Sequence, residues 1–398
     1  MWTRRQFLKS ASVSVAALLA PPVLLRGARA RADAPDPVLI VLFLRGAADG
    51  LNLVVPHGDP NYLALRPNIG VPTASVLELD GFFGFHPSLA PIVPLFQSGH
   101  LAAIHAVGTP DGSRSHFQSQ DFIEYGTADK TIANGWLNRY LVASGLSSPL
   151  AAITLASRPV KALVGPVATL AFDRLSSLEL VGTFPSNESQ AITLIHAAAG
   201  GLLAQASDLA FSTEQVLRTV DTTTTVSYPS NVLASSLRDL AALVKAEIGV
   251  RVAAIDLGGW DHHFEEQSRL SFLADLLAQA LAAFAADLGP HLDRTLLLTM
   301  TEFGRRAQEN GGGGTDHGHG SVMLALGGGI HGGRVLLSNG TWPGLAPQQM
   351  FESIDLAVTT DIRDVCSEVL DRHMGLSNLA SIFPGYTPSA GLYPGLYG

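Results

Sequence analysis

Residues 38–50 read Val-Leu-Ile-Val-Leu-Phe-Leu-Arg-Gly-Ala-Ala-Asp-Gly, an unbroken apolar run that ends in a glycine-flanked acidic loop. An apolar run without polar alternation is typical of a strand buried on both faces, as in a parallel sheet covered by helices. Further runs of strand length lie at Leu101–Val107, Ala151–Leu155, Arg251–Ile255, Arg294–Met300 and Ser321–Leu326. Patterns of helical period lie between them, at Pro87–Phe96, Asn231–Ile248 and Leu270–Leu288. This alternation predicts an α/β fold, a three-layer α/β/α sandwich around a mostly parallel central sheet.

The N-terminus carries the pattern of an export signal. A twin arginine, Arg4-Arg5, precedes an apolar stretch at Ala11–Leu25, and the small residues of Ala28–Ala34 fit a cleavage site. We therefore predict a twin-arginine signal peptide at residues 1–34 and a single α/β domain at residues 36–390. The apolar stretch is short and broken by two prolines, so no stable membrane span is expected after cleavage. The predicted location is periplasmic or secreted, in a bacterium, and the twin-arginine translocase is the expected partner during export.

Charge and cysteine content exclude some classes of partner. Without residues 1–34 the chain keeps 19 of its 25 Lys and Arg and 33 of its 34 Asp and Glu, a net charge of −14. Such an acidic protein is a poor ligand for nucleic acid or anionic surfaces, so no nucleic-acid partner is expected. Cys366 is the single cysteine, and an intrachain disulfide is therefore impossible despite the predicted export.

Carboxylates and imidazoles stand beside four of the predicted strands. They are Asp49 after the first strand, Asp256, Asp261 and His263 after the fourth, Glu302 after the fifth, and Asp316 and His317 before the sixth. Sheets of this kind bind ligands at the carboxyl ends of their strands. Carboxylates gathered there repel one another unless cations lie between them, and Asp with His suits zinc, iron or manganese. The pattern predicts one or two metal ions, the alternatives being an ordinary Asp-Gly turn and an ordinary polar loop.

A serine and an arginine are candidates for contact with a substrate. Ser115 precedes a predicted helix, where backbone N–H groups favour a bound anion or alkoxide, although such a serine is commonly only an N-cap. Ser113 is the fallback nucleophile. Arg305, or its neighbour Arg306, would either clamp an anionic ester or neutralise nearby carboxylates. Three further residues are expected to orient the metal ligands or to add to them: Asp256, His116 and His319.

Six stretches together resemble the exported bacterial proteins grouped as domain of unknown function 1501. They are Phe43–Leu51, Ser113–Phe117, Gly135–Leu137, Gly259–His263, Thr301–Arg305 and Gly314–Gly318. That family is placed by similarity in the alkaline phosphatase and sulfatase superfamily, so the resemblance implies an alkaline phosphatase-like domain with two metals at the strand ends. It also implies that Ser115 is similar to the nucleophile. Phe303 departs from the pattern, since the superfamily has a metal-binding histidine there, and the Cys/Ser-x-Pro-Ser-Arg motif of sulfatases does not occur.

The residues and the resemblance predict a metal-dependent hydrolase of phosphate or sulfate esters, acting on a small-molecule or polymer ester. The predicted catalytic residues are Ser115 and Arg305, and the predicted metal ligands are Asp49, Asp261, His263, Glu302, Asp316 and His317. Zinc is the favoured divalent metal, with manganese, calcium and magnesium as alternatives. The alternative function is an exported metal-binding or assembly protein that keeps the fold without turnover, which Phe303 favours.

Overall fold

The computed structural model describes residues 36–178 and 212–398, so the predicted signal peptide lies outside the described residues. The strands are β1 (Val38–Arg45), β2 (Val54–Val55), β3 (Leu77–Glu78), β4 (Gly84–Phe85), β5 (Leu101–Gly108), β6 (Ala152–Thr154), β7 (Leu170–Ala171), β8 (Val252–Gly258), β9 (Thr295–Met300), β10 (Ser321–Gly327), β11 (Val335–Leu336) and β12 (Thr360–Asp361). The α-helices are α1 (Gly50–Leu53), α2 (Tyr62–Leu65), α3 (Val93–Gln97), α4 (His116–Tyr125), α5 (Trp136–Ala143), α6 (Val232–Lys245), α7 (Glu266–Leu288) and α8 (Ile362–Glu368).

Within the described residues the main sheet has nine strands, in the order β11-β5-β10-β9-β1-β8-β6-β7 with β12 paired to β5. β10 is antiparallel to its neighbours β5 and β9, and the remaining pairs are parallel. β2, β4 and β3 form a separate small antiparallel sheet. The predicted fold class, an α/β architecture with a mostly parallel central sheet, is confirmed.

Helices cover both faces of the main sheet. On β1, Ile40 and Leu42 pack in one apolar cluster with α6 and α7, whereas Leu39 and Val41 pack in another with α5 and α8. Successive strand residues point to opposite faces, so these two clusters are the two sides of one sheet. Burial on both sides explains why the sequence of β1 is apolar without alternation.

The longest helix, α7, is apolar because it lies in this core. An 18-residue window within Glu266–Arg294 has a mean hydropathy of 1.5, and the segment has the length of a membrane span, but half of that window is buried inside the fold. Its residues Leu277 and Leu281 are fully buried in the cluster shared with α6. The apolarity of α7 is therefore accounted for by packing on the sheet.

The topology brings the polar strand ends to one edge of the sheet. β1, β5, β8 and β9 run in the same direction and end at that edge, while the antiparallel β10 starts there. A bridge between Arg305 and His317 joins the loop after β9 to the loop before β10. Gly304 permits this approach, because a side chain there would meet the carbonyl oxygen of Gly320 at 1.9 Å.

Candidate metal centre

Four side chains converge at this edge: His116 at the start of α4, Asp261 and His263 after β8, and His317 before β10. The Nε2 atom of His317 lies 3.1 Å from Nε2 of His116 and 3.0 Å from Nε2 of His263. Oδ1 of Asp261 lies 3.2 Å from Nε2 of His317 and 3.1 Å from Nε2 of His263. Oδ2 of Asp261 lies 3.6 Å from Nε2 of His116. We call these four residues the metal-ligand cluster.

Each imidazole of the metal-ligand cluster uses its other ring nitrogen to contact an oxygen. The contacts are His116 Nδ1 to Glu302 Oε1 at 2.8 Å, His317 Nδ1 to the Arg114 carbonyl at 3.0 Å, and His263 Nδ1 to Asp316 Oδ1 at 3.4 Å. Carboxylate and carbonyl oxygens accept hydrogen bonds, so Nδ1 of each ring carries the proton. In the neutral imidazole Nε2 then presents a lone pair to the centre of the cluster.

This arrangement fits a divalent metal ion. The Nε2 lone pair of His317 faces those of His116 and His263 at 3.0–3.1 Å, and such lone pairs repel unless a cation or an additional proton lies between them. A tetrahedral ion bound at about 2.0–2.1 Å places its ligand atoms roughly 3.3–3.4 Å apart, close to the 3.1–3.6 Å that separate the facing atoms of His116, Asp261 and His317. Metal-bound histidines almost always donate their second nitrogen to a carboxylate, a carbonyl or water, which is the pattern found here. Within residues 36–178 and 212–398, His116, Asp261 and His317 form the one group whose ligand atoms all lie within 4.8 Å of one another, and His263 contacts this group through His317 and Asp261.

Glu302, predicted as a metal ligand, lies behind His116 and not in the metal-ligand cluster. Its carboxylate is 1% exposed, and Oε1 accepts hydrogen bonds from the Gly46 amide at 2.9 Å and from Gln120 Nε2 at 2.8 Å as well as from His116. Burial alone would raise the pKa of Glu302, but the hydrogen bonds from His116 and Gln120 lower it. The same hydrogen bond raises the pKa of His116. Glu302 thus stays ionised and holds the imidazole of His116.

Asp316, also predicted as a metal ligand, has the corresponding place behind His263. Its Oδ1 contacts His263 Nδ1 and accepts a hydrogen bond from Asn310 Nδ2 at 3.3 Å. Against the effect of burial, these two contacts lower the pKa of Asp316. Asp316 therefore holds the imidazole of His263 in the same way as Glu302 holds that of His116, and His263 and His317, both predicted as metal ligands, lie beside Asp261.

Asp49 is separated from the metal-ligand cluster by a buried ion pair. Its carboxylate is paired with Arg66, and it caps α1 by accepting a hydrogen bond from the Leu51 amide at 3.3 Å. Burial would raise the pKa of Asp49, but Arg66 lowers it. Glu266 lies against the pair, and burial followed by repulsion from Asp49 raises its pKa to about 9. Arg66 supplies the charge that the sequence argument assigned to a metal, and neither Arg66 nor Glu266 belongs to a motif that would have indicated this.

Arg305, predicted as catalytic, is buried and fully engaged by its own chain. Its guanidinium donates to the backbone carbonyls of Ala47 at 2.8 Å, Thr315 at 3.0 Å, Gly46 at 2.6 Å and Trp260 at 3.1 Å. It also donates to Asp261 Oδ1 at 2.6 Å, and its side chain is 0% exposed. Burial would raise the pKa of Asp261, but Arg305 lowers it. The structure thus places Arg305 where it neutralises and positions Asp261, the second of the two roles that the sequence allowed, and not where it reaches a substrate.

Ser115 is the freer of the two candidate nucleophiles. It is the N-cap residue of α4, but its side chain makes no capping hydrogen bond. The Ser113 hydroxyl, in contrast, donates to Asp111 Oδ2 at 2.9 Å and accepts from the Ser115 amide at 3.3 Å. Ser115 directly precedes His116, a member of the metal-ligand cluster, in the chain.

The two remaining candidates lie outside the metal-ligand cluster, and Phe303 lies against it. Asp256 is paired with Arg45 at 2.7 Å, and His319 is buried with its ring stacked on Phe351 at 4.2 Å. The ring of Phe303 lies 5.0 Å from the rings of both His116 and His317. Phe303 therefore packs against two imidazoles of the cluster, a role that its residue type alone did not indicate.

A family model described as "Protein of unknown function (DUF1501)" matches residues 36–383. No curated protein matches the chain. The chain is similar at 11% identity and a TM-score of 0.41 to the C-terminal periplasmic domain of EcEptC from Escherichia coli, with 93% of this chain and 92% of that chain covered. A complex of that domain with Zn gives 10% identity and a TM-score of 0.35, with 78% of this chain and 77% of that chain covered. The PsFucS1 sulfatase from Pseudoalteromonas sp. gives 12% identity and a TM-score of 0.33, with 84% of this chain and 68% of that chain covered. The side chains described above, and not these similarities, decide the chemistry that this chain can perform.

Proposed function

This chain belongs to the DUF1501 family, and we propose that it is an exported zinc-dependent hydrolase of phosphate or sulfate esters. The observation that carries the proposal is the convergence of three imidazole Nε2 atoms on Asp261, each ring held at Nδ1 by an oxygen. Imidazole nitrogens together with one carboxylate favour zinc. Manganese, calcium and magnesium, the alternatives, prefer sites richer in oxygen.

The residues around the metal-ligand cluster would prepare it for metal binding and leave it open to a substrate. Bound zinc would act as a Lewis acid that polarises the ester. Glu302, Asp316 and the Arg114 carbonyl hold the tautomers of the three histidines, and Arg305 holds Asp261. The side chains of Asp261 and His263 are 47% and 39% exposed, so an ester can approach from solvent.

Ser115 would be the nucleophile. Its hydroxyl is not used as a helix cap, and it stands at the N-terminal end of the ten-residue helix α4, where backbone N–H groups favour negative charge. Its Oγ would bond to phosphorus or sulfur while the alcohol leaves with a proton, and water would then hydrolyse the serine ester. Arg306 would contact the anionic group, since Arg305 is fully engaged. The Nε atom of Arg306 is buried without a hydrogen-bond partner among the described residues.

The test compares wild-type, Ser115→Ala and Ser113→Ala proteins after loading with zinc, on 4-nitrophenyl phosphate, phosphonate and sulfate esters. We expect Ser115→Ala to lower kcat by about a thousandfold or more, as for removal of a serine nucleophile, and Ser113→Ala to keep most activity. Full activity of Ser115→Ala would remove Ser115 from this role. No turnover of any ester by the zinc-loaded wild type would overturn the hydrolase proposal.

The second candidate is an exported metal-binding protein without turnover. Phe303 favours it, because the ring packs on His116 and His317 but offers no ligand atom. Hydrolysis by a pair of ions needs more ligands than the metal-ligand cluster holds. Zinc bound in a stoichiometric amount without ester turnover is the result expected for this candidate.

A further inference from the structure

Arg114 holds His317 by its backbone, in a conformation that an arginine rarely adopts. Its carbonyl oxygen accepts the hydrogen bond from Nδ1 of His317 at 3.0 Å, and its φ is 52°. A positive φ is unfavourable for a residue with a side chain, and it persists only where the surrounding structure fixes it. The carbonyl that orients His317 in the metal-ligand cluster therefore depends on the contacts that fix Arg114.

The side chain of Arg114 supplies such contacts through two carboxylates. Its Nε and Nη2 atoms donate to Oδ2 of Asp355 at 2.8 and 2.5 Å, and Nη2 also donates to Oε2 of Glu352 at 2.6 Å. The side chain of Asp355 is 0% exposed and that of Glu352 is 54% exposed. Charge-assisted hydrogen bonds to a guanidinium are strong and directional, whereas solvent weakens an exposed ion pair. Asp355 is therefore the main anchor of the Arg114 side chain.

Asp355 ends a closed turn that is attached to the loop after β9. Phe351 and Asp355 exchange two backbone hydrogen bonds, at 2.9 and 3.0 Å. The Ile354 carbonyl accepts a hydrogen bond from the Ala307 amide, in the loop after β9, at 3.1 Å. The backbone of Asp355 itself pairs with that of Arg306. The carboxylate of Asp355 is thus presented from a backbone that is fixed independently of Arg114.

The loop that contains Arg114 has a second attachment, on its own helix. Oδ2 of Asp111 accepts hydrogen bonds from the hydroxyls of Ser113 at 2.9 Å and Ser119 at 2.8 Å. Ser119 lies in α4, so these bonds tie the loop to that helix. Loss of Asp355 should therefore release the Arg114 side chain and leave the loop on α4.

We propose that Asp355 is a positioning residue of the metal centre, which acts through the guanidinium of Arg114 to hold the Arg114 carbonyl against Nδ1 of His317. This inference rests on the proposed function, since it concerns the geometry of the proposed zinc site. The carbonyl keeps the proton of neutral His317 on Nδ1, so Nε2 presents its lone pair to the metal-ligand cluster. If the carbonyl turns away, the proton can also occupy Nε2, and that tautomer offers no lone pair there.

The first readout is the tautomer of His317 in the metal-free protein, followed by heteronuclear NMR of the histidine nitrogens at a pH where the imidazoles are neutral. A His317→Gln sample assigns the signals. We expect the proton on Nδ1 in the wild type and a mixture of both tautomers in Asp355→Ala. Asp355→Asn keeps an amide oxygen that can accept from Arg114, so it should restore most of the Nδ1 tautomer.

The second readout is zinc affinity, measured in competition with a chromophoric chelator. Asp355→Ala should bind zinc about tenfold more weakly than the wild type, the low end of the range for groups that support metal-bound histidines. Asp287→Ala is the matched control, because the side chain of Asp287 is 5% exposed and paired with Lys245 at 2.7 Å. Asp287 lies at the end of α7 that leads to the start of β9, the edge of the sheet opposite the site. It should change neither readout.

The outcomes separate this inference from the proposed hydrolase. A His317 tautomer that is the same in the wild type and in Asp355→Ala would overturn the role of Asp355, even if the protein binds zinc and hydrolyses esters. A mixture of tautomers found in Asp355→Ala but not in Asp287→Ala would support it, even if no ester is turned over. Arg114→Ala removes the guanidinium instead of its anchor and should give the same mixture, so it takes the place of Asp355→Ala if circular dichroism shows that protein to be unfolded.

Discussion

The substitution Glu302→Gln isolates the contribution of one buried charge to the proposed metal centre. Glu302 accepts its three shortest hydrogen bonds at a single atom, Oε1, from Gly46, His116 and Gln120. A glutamine with its amide oxygen at that place keeps all three donors. Its Nε2 would face the hydroxyl of Thr301, which lies 3.3 Å from Oε2 of Glu302 and can accept a hydrogen bond. Glu302→Gln therefore removes the charge of the carboxylate and keeps the arrangement of its hydrogen bonds.

The size of the effect follows from the strength of the hydrogen bond to His116. Hydrogen bonds to charged groups contribute about 1.5–3 kcal/mol and neutral ones about 0.5–1.5 kcal/mol. The neutral amide should therefore hold His116 less strongly by about 1–1.5 kcal/mol, which is close to a tenfold loss of zinc affinity. Partners of metal-bound histidines typically change affinity by about 10- to 100-fold, so the estimate lies at the low end of that range.

The assay is a zinc titration of the metal-free protein in competition with a chromophoric chelator, at one pH and one ionic strength. Glu309→Gln is the matched control, because the Glu309 carboxylate binds the amides of Asn68 and Ile69 and no histidine. We expect Glu302→Gln to bind zinc about tenfold more weakly and Glu309→Gln to bind it as the wild type does. Equal affinity of all three proteins would refute the idea that the Glu302 charge supports His116 as a ligand.

Two further predictions concern the buried charges beside the metal-ligand cluster. Arg305→Lys keeps the charge but offers only three donors to the four carbonyls and Asp261 that Arg305 contacts. The carbonyls left without a donor should lower the free energy of unfolding in urea by about 2–4 kcal/mol, and an unchanged midpoint would contradict this structural role. For Glu266, burial raises the pKa from 4.5 to about 9, so its contribution to stability is present at low pH and is lost as pH rises through about 9. Glu266→Gln should therefore unfold at a higher temperature than the wild type at pH 9.5, and identical pH profiles of the two proteins would contradict the shifted pKa.

The edge at which the site lies was predictable from the sequence because it depends on strand direction alone. The apolar run of β1 and the polar residues after β8 and β9 indicate which ends of parallel strands meet. Asp261, His263 and His317 follow from this argument, since each stands in a loop at that edge.

The order of residues around the cluster was not predictable. His116 was assigned an orienting or additional role and Glu302 a ligand role, but the structure turns the imidazole of His116 inward and places Glu302 behind it. Which of His116 and Glu302 faces the centre of the cluster depends on where α4 starts and on the left-handed backbone of Arg114, with φ of 52°. No residue pattern in the sequence shows either feature. Asp49 was predicted as a metal ligand, but the structure pairs it with Arg66. The sequence did not indicate this pair, since Arg66 is 17 residues away in a loop of no regular period.

Metal analysis of the purified protein tests the central claim most directly, by inductively coupled plasma mass spectrometry on the wild type and on an Asp261→Ala/His317→Ala variant. We predict about one zinc ion per chain in the wild type and none in the folded variant, because the variant removes two of four ligands. The same low metal content in both proteins, even after dialysis against zinc, would contradict the account. It would mean that additional protons, and not a cation, separate the three imidazoles.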